Sequence, residues 1–244
     1  MNLDGLQSAM EQGQVAAVLL SPALSNPLGS SMPLAQRARL ASLAARYKTP
    51  VIEDVIWNDL IEQPQLRTTV QALDPEGWVM LCGSFTKTLA PGLRLGWLHS
   101  GRWSGLVEGL RSHTMSRPTE VLELTLAKLL KQSGLERHHL KLRSELASRR
   151  ELARKIIAET FPQGTLVSNP PGGMLLWIEL PEALDSHKLL ERALPDRISF
   201  IPGTLFSTKR RYSHCLRLGL GGRWGSQQHA ALARLGALAC ELAS

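Results

Sequence analysis

Ser84-Phe85-Thr86-Lys87-Thr88-Leu89-Ala90-Pro91-Gly92-Leu93-Arg94-Leu95-Gly96-Trp97 is the stretch on which the reading of the fold turns. It directly follows an apolar run, residues 79–82, with the length and composition of a buried strand. In open α/β sheets, ligands sit beyond the carboxyl ends of strands. A lysine there, with a serine three residues before it and an arginine seven after, has a specific chemical reading. Its amine can form an imine with an aldehyde. Ser84 and Arg94 can hold a phosphate, the arginine through a bidentate, charge-assisted hydrogen bond. A lone lysine near a strand end would be a solvated surface residue. The spacing to Ser84 and Arg94 is what makes Lys87 the candidate nucleophile.

Two more strand-like runs lie upstream, at 15–20 and 50–53, and another follows at 95–98 after the Pro91-Gly92 turn. Between the first two, Leu34, Ala38, Leu40, Ala41, Ala44 and Ala45 predict a helix over 33–47. Ser31 is its expected cap, and Pro33 suits the first turn because its missing N–H costs nothing there. Strand, helix, strand is the βαβ unit of a parallel sheet. From about Pro118 the pattern changes. Helices are predicted over 120–130 and 137–161, broken at Gly134 and closed by Pro162 and Gly164. Strands follow at 165–168 and 174–180, around Pro170-Pro171-Gly172-Gly173, and at 198–201 and 214–218. Helices at 184–193 and 226–242, the latter with Ser226 as cap, complete the chain. The expected organisation is a mostly parallel α/β part over 1–117 and a smaller α+β part over 118–244 with a long connecting helix.

The chain has 244 residues, 43% hydrophobic and 20% charged, as expected of a soluble globular protein of one or two domains. No apolar run reaches the ~18 residues of a membrane span, and the first residues do not read as a signal peptide. Cys82, Cys215 and Cys240 are odd in number and far apart, which favours reduced thiols in a cytoplasm over a disulfide framework or a metal site. The net charge of +7 includes one dense segment: His138, His139, Lys141, Arg143, Arg149, Arg150, Arg154 and Lys155. Leu135, Leu142, Leu146, Leu152 and Ile156 are interleaved at helical spacing, so the segment reads as an amphipathic helix with a solvated or dimer-facing basic side. No nucleic-acid-binding motif accompanies it.

S-x-x-K followed by P-G-x-R-x-G resembles the pyridoxal 5′-phosphate (PLP) lysine signature of fold-type I, class I/II aminotransferases. The wording of residues 84–97 is most similar to the aminotransferase-like domain of MocR-type regulators in the GntR superfamily, and the resemblance extends over essentially the whole chain. It implies an α/β fold: part of a fold-type I PLP-dependent transferase large domain, then a small α+β C-terminal domain. It implies PLP bound to Lys87 as a Schiff base, with Ser84 and Arg94 on the phosphate. Asp54, in Glu53-Asp54 at a strand end, would pair with the pyridine nitrogen and stabilise the protonated ring. Asn26, in Ser25-Asn26-Pro27-Leu28-Gly29, would bond the phenolic oxygen. Arg217, in Cys215-Leu216-Arg217-Leu218-Gly219, would clamp a substrate α-carboxylate. Without the resemblance, Asp54 reads as a cap, Asn26 as a turn residue and Arg217 as a surface strand residue. Pro202-Gly203-x-x-Phe206 and Gly172-Gly173 match family turns, where glycine serves positive φ or close approach. Trp57 departs from the family's D-x-x-Y. An indole donates through its N–H but neither accepts nor ionises, which keeps it a candidate cofactor contact and weighs against efficient transamination.

In the family, the Asn-Pro turn lies near the middle of the PLP domain. Further strands, a glycine-containing phosphate loop, a ring-stacking aromatic residue and a winged helix-turn-helix belong upstream, and none is found before residue 15. The chain is expected to be the C-terminal part of a longer protein. Its four-stranded partial sheet should leave an edge open and a face uncovered, favouring a homodimer or pairing with an N-terminal half. The implied function is a PLP-binding, effector-sensing domain of a MocR/GntR-type transcriptional regulator. Its effector would be an amino acid or amine, and DNA would be contacted only through a further N-terminal domain. The alternative is a PLP-dependent aminotransferase acting on an amino acid and a 2-keto acid. No membrane association is expected.

Overall fold

The computed structural model describes residues 1–114, 119–132 and 134–243, and it opens with a helix that the apolar pattern did not reveal. In α1 (Leu3–Glu11), the Asn2 side chain accepts from the amides of Asp4 and Gly5 at 3.1 and 3.0 Å. That satisfies two of the donors a helix start leaves open. Leu3 and Met10 are its buried residues.

β1 (Val18–Leu20), β2 (Val51–Asp54), β3 (Val79–Ser84) and β4 (Gly96–His99) form one sheet in the order β1-β2-β3-β4. The first two pairings are parallel, while β4 runs antiparallel to β3. α2 (Leu34–Tyr47) is the crossover between β1 and β2. Ser31 does not cap it. Pro33 occupies the cap position without a side-chain bond, and Ser31 Oγ instead accepts from the Leu24 amide at 3.1 Å. Side chains alternate across a sheet. Val18, Val51 and Val79, in register with one another, are buried in a core shared with Leu3, Leu40, Leu43 and Ala44. On the opposite face Leu19 stays 72% exposed and Leu98 46%. The expected open face is therefore present among the described residues.

The long link from β2 to β3 is organised by two buried charged groups. The Arg37 guanidinium donates to the carbonyls of Met32, Leu66, Thr68 and Pro22 at 2.9, 3.1, 2.5 and 3.4 Å. The Glu53 carboxylate accepts from the amides of Val70 and Gln71, both at 2.9 Å. Burial pushes the Glu53 carboxyl above its usual range, against those two amides and the Arg37 charge.

α3 (Ser104–Thr114) was not foreseen. Gly105 and Gly109 weaken its pattern, and none of its residues is buried. α4 (Glu120–Leu130) has its expected limits, while α5 (Gly134–Thr160) starts three residues before the expected Arg137 and takes in Gly134, the expected breaker, as its first residue. The expected 117/118 boundary lies outside the described residues. By spatial contact the chain groups into two compact units: Met1–Leu24 with Ser30–Leu142, and Ser25–Gly29 with the chain from Arg143 onward.

The second unit holds β5 (Leu166–Val167), β6 (Leu175–Glu179), β7 (Ile201–Pro202) and β8 (Cys215–Gly219), antiparallel in the order β5-β6-β8-β7. β7 starts three residues later than predicted and is only two residues long; the Ile198 amide donates instead to the Ala193 carbonyl at 3.1 Å. α6 (Ser186–Ala193) is capped by Asp185, which accepts from the His187 and Lys188 amides. α7 (Ser226–Ala243) takes Ser226 as its first helical residue rather than its cap. Ala153, Ile157 and Phe161 of α5, Leu176 and Ile178 of β6, Leu216 of β8 and Leu232 and Leu235 of α7 make one core.

The basic segment of α5 is not simply solvated. His139, Arg143 and Arg150 are each only 6% exposed. Arg149 donates to the carbonyls of Leu220 and Gly222, both at 2.9 Å, Arg150 to that of Gly173, and Arg154 to that of Ser168. A guanidinium offers five donors and no acceptor, so these arginines tie loops of the second unit to the helix. Periodicity alone cannot separate that use from solvation. Burial lowers the Arg150 pKa to about 10.

Candidate functional site

β2 ends beside β3, Asp54 being in register with Cys82, two residues before β3 itself ends at Ser84. The chain after β3 forms a tight turn in which Leu89 and Ala90 donate to the Phe85 carbonyl at 2.9 and 3.3 Å. Ser84 Oγ donates to the Leu95 carbonyl at 3.0 Å and accepts from the Thr86 amide at 3.1 Å. A hydroxyl has one proton, so the 2.7 Å contact between the two hydroxyls must use the proton of Thr86 Oγ1. Ser84 thus shapes the turn, and Thr86 joins it. The sequence reading missed Thr86, although a second hydroxyl beside Lys87 was visible in the motif.

Lys87 projects from this turn and is exposed. Its Nζ lies 5.2 Å from the centre of the Trp57 ring, within reach of a cation–π attraction. Trp57 is 8% exposed and precedes the 3₁₀ turn Asn58–Leu60. Asp54 Oδ1 accepts from the Ile56 amide at 3.0 Å, which fixes the carboxylate; its other oxygen has no hydrogen-bond partner among the described residues. Arg94, with φ +48°, is exposed at the end of the 3₁₀ turn Pro91–Leu93. None of Asp54, Lys87 and Arg94 forms an ion pair with a described residue. The Cys82 thiol is pushed up by burial and then by the charges of Asp54 and Glu53, so it stays protonated and inert.

Two glycines bring β3 and β4 together. A Cβ on Gly83 would come within 2.7 Å of the Trp97 indole, and one on Gly96 within 2.8 Å of the Gly83 carbonyl. The Gly96-Trp97 pair closing the motif is therefore a packing requirement.

The second unit carries the other two candidates. Arg217 Nη1 donates to Asn26 Oδ1 at 2.7 Å, across 191 residues of chain. The guanidinium carbon sits 5.2 Å from the centre of the Phe206 ring. Arg217 Nε is buried with no hydrogen-bond partner, and burial lowers the pKa of the group. No described carboxylate pairs with it. An unpaired guanidinium edge has the shape to receive a carboxylate. The loops around it need their glycines. A side chain on Gly29 (φ +69°) would come within 2.8 Å of Pro170, and one on Gly203 would run into the Tyr212 carbonyl. Phe206 was visible as a turn residue, but its place against Arg217 was not.

The two clusters have complementary chemistries. The first offers an amine, two hydroxyls, an arginine and a half-free carboxylate at the carboxyl ends of parallel strands. These suit an aldehyde, a phosphate and a protonated pyridine nitrogen, and so fit PLP.

The family model for aminotransferase class I and II matches residues 1–231. The chain is 30% identical over 238 residues to the uncharacterized HTH-type transcriptional regulator YdcR of Escherichia coli, covering 98% of this chain and 51% of that protein. It is 29% identical over 224 residues to aromatic-amino-acid aminotransferase 1 of Thermococcus litoralis, covering 89% and 54%. LysN, an alpha-aminoadipate aminotransferase of Thermus thermophilus solved with N-(5′-phosphopyridoxyl)-L-leucine, superimposes with a TM-score of 0.88. There the identity is 25%, with 99% of this chain and 63% of that one covered. The chain spans about half the length of these curated relatives.

Proposed function

Because the chain belongs to the aminotransferase class I and II family, we propose that it holds PLP on Lys87 and serves as the effector-sensing part of a MocR/GntR-type transcriptional regulator. The observation that carries the cofactor assignment is the placing of Asp54 at the end of β2 and of Lys87 in the turn that follows the neighbouring β3, with one Asp54 oxygen and Lys87 Nζ free of hydrogen bonds to described residues. Similarity to the regulators YdcR and YjiR of Escherichia coli, each at 30% identity over at least 97% of the chain, supports the regulatory role.

When bound, PLP supplies an aldehyde that condenses with amines and a ring that takes up negative charge from the α-carbon. Lys87 anchors it through Nζ and, when free, accepts the α-proton there as general base. Asp54 holds the proton on the ring nitrogen. Arg94 binds the phosphate, and Ser84 joins it by turning its one proton away from the Leu95 carbonyl, with Thr86 orienting Ser84. Arg217 receives an amino-acid carboxylate, while Asn26 holds its Nη1. Trp57 lies beneath Lys87 and cannot ionise, so the phenol that tunes proton transfer in the family is missing. That favours binding of an amino acid or amine over turnover. Sensing then requires the ligand to have different affinity for two states of the protein. The whole protein would act as a homodimer and contact DNA through a separate N-terminal domain.

A true aminotransferase is the second reading, favoured by the 29% identity to the Thermococcus litoralis enzyme. Absorption spectra of the chain mixed with PLP, with Lys87→Ala beside it, decide between them. Failure to see a cofactor band that disappears in the variant overturns the PLP assignment. A band that amino acid converts to pyridoxamine phosphate with release of a keto acid establishes the aminotransferase. A spectral shift without keto acid establishes the sensor.

A further inference from the structure

His138 belongs to the basic segment of α5, yet its imidazole has a definite task. Nε2 lies 2.6 Å from the carbonyl oxygen of Thr88, fifty residues away in sequence and within the same compact unit. A carbonyl can only accept, so Nε2 carries the proton and donates it. Thr88 is the residue after Lys87 and is 3% exposed. The other bonds of the turn, Ser84 with Thr86 and Leu95 and the Leu89 and Ala90 amides with Phe85, are made within residues 84–95. His138 is the described side chain that anchors the turn from another element. Lys87 itself has no hydrogen bond or ion pair with a described residue, only the Trp57 ring at 5.2 Å. A side chain with four rotatable bonds reacts efficiently only when the backbone that carries it points the right way.

We propose that His138 is a positioning residue for Lys87, latching the lysine turn through the Thr88 carbonyl so that the amine is presented to the cofactor. This rests on the reading of Lys87 as the PLP lysine. Alanine is the strongest helix former, so His138→Ala removes the latch without weakening α5. His138→Gln keeps a donor at comparable reach. Arg137→Ala, on an exposed neighbour, controls for a general change in the helix.

Amide hydrogen exchange on the cofactor-free chain reads the latch directly. One net hydrogen bond is worth about fivefold in such an equilibrium. His138→Ala should raise exchange at Leu89 and Ala90 by about that factor, while His138→Gln and Arg137→Ala should not. PLP titration should show weaker cofactor uptake by a similar factor in His138→Ala, recovered in His138→Gln. Unchanged exchange in His138→Ala overturns the latch. Faster exchange with unchanged PLP uptake overturns its role in positioning. If wild type shows no Lys87-dependent band at all, the PLP assignment has failed and the positioning role falls with it. The exchange result then still reports separately whether the hydrogen bond exists.

Discussion

The two sheets of this chain are built from equally apolar strands and are buried very differently. In the second unit Leu176, Ile178 and Leu216 are completely buried, with α5 and α7 supplying the rest of the core. In the first, the row Val18, Val51 and Val79 is buried, but Leu19 and Leu98 on the other face are open. A sheet needs a second layer on each apolar face. Strand composition therefore says that a face wants covering, and only the neighbouring elements decide whether it is covered. The sheet left half open is the one that carries Asp54 and Ser84 and leads into the turn of Lys87.

The largest expected effect follows from that contrast. Leu216→Ala should cost about 2–5 kcal/mol, the range for emptying a fully packed site. Leu19→Ala should change stability by no more than about 0.5 kcal/mol, as for surface substitutions. Urea denaturation of the full chain measures both. Comparable losses at the two positions would mean that the outer face of the first sheet is covered in solution.

A smaller effect separates the two units by how freely a neighbour can move. A Cβ on Gly236 of α7 would lie 2.5–2.7 Å from Thr160 and Phe161, one of the atoms being the Thr160 backbone carbonyl. The three atoms nearest a Cβ on Gly83 all belong to the Trp97 indole, a side chain 41% exposed rather than backbone. Gly236→Ala should therefore destabilise by about 1–3 kcal/mol, the cost of overpacking, even though alanine favours the helix by nearly 1 kcal/mol. Gly83→Ala should cost less, and Trp97→Ala should remove most of that cost in the double variant. A larger loss at Gly83 would show that the β3–β4 pair is the more rigid of the two sites.

The helix start at Asn2 ranks next. Asn2→Ala should cost about 1 kcal/mol, while Ser31→Ala should not behave as the loss of a helix cap. That pair tests a place where local sequence misled. Ser31 stands in the usual position before a helical run, yet its hydroxyl serves the Leu24 amide. Much else was legible. Apolar periodicity located all four strands of the first sheet, and the spacing of Ser84, Lys87 and Arg94 located the candidate cofactor turn beside them. α1 and α3 were not legible, since one is only nine residues long and the other buries nothing. The roles of the basic residues on α5 were hidden for another reason. Whether an arginine or histidine is solvated or bound to a distant carbonyl depends on loops seventy residues away for Arg149 and fifty for His138. The contact between Asn26 and Arg217 is longer-range still, and no local pattern encodes it.

The last distinction is in pH response, and its slope is the smallest effect. Burial raises the Glu53 carboxyl above its ordinary value near 4.5. The folded first unit therefore keeps this proton at pH values where the unfolded chain has lost it. Stability falls as pH rises wherever the folded state binds more protons. The Glu53 contribution is thus complete below pH 4.5 and is lost as pH climbs through the raised value, with a slope below about 1.4 kcal/mol per pH unit, the ceiling for one proton. In the second unit the Cys215 thiol is raised from 9.0 to about 11, chiefly by burial. By the same sign its contribution is intact below pH 9 and declines only as pH rises toward 11. Glu53→Gln retains an acceptor oxygen and cannot titrate. The stability difference between wild type and Glu53→Gln, from urea denaturation at steps of pH from 4 to 8, should shift against wild type as pH rises. Cys215→Ala should leave that profile unchanged and alter only the alkaline limb. A difference that stays flat across pH 4–8, or moves in favour of wild type, would mean that the Val70 and Gln71 amides and Arg37 outweigh burial at Glu53, so that its carboxyl is not raised above the ordinary value.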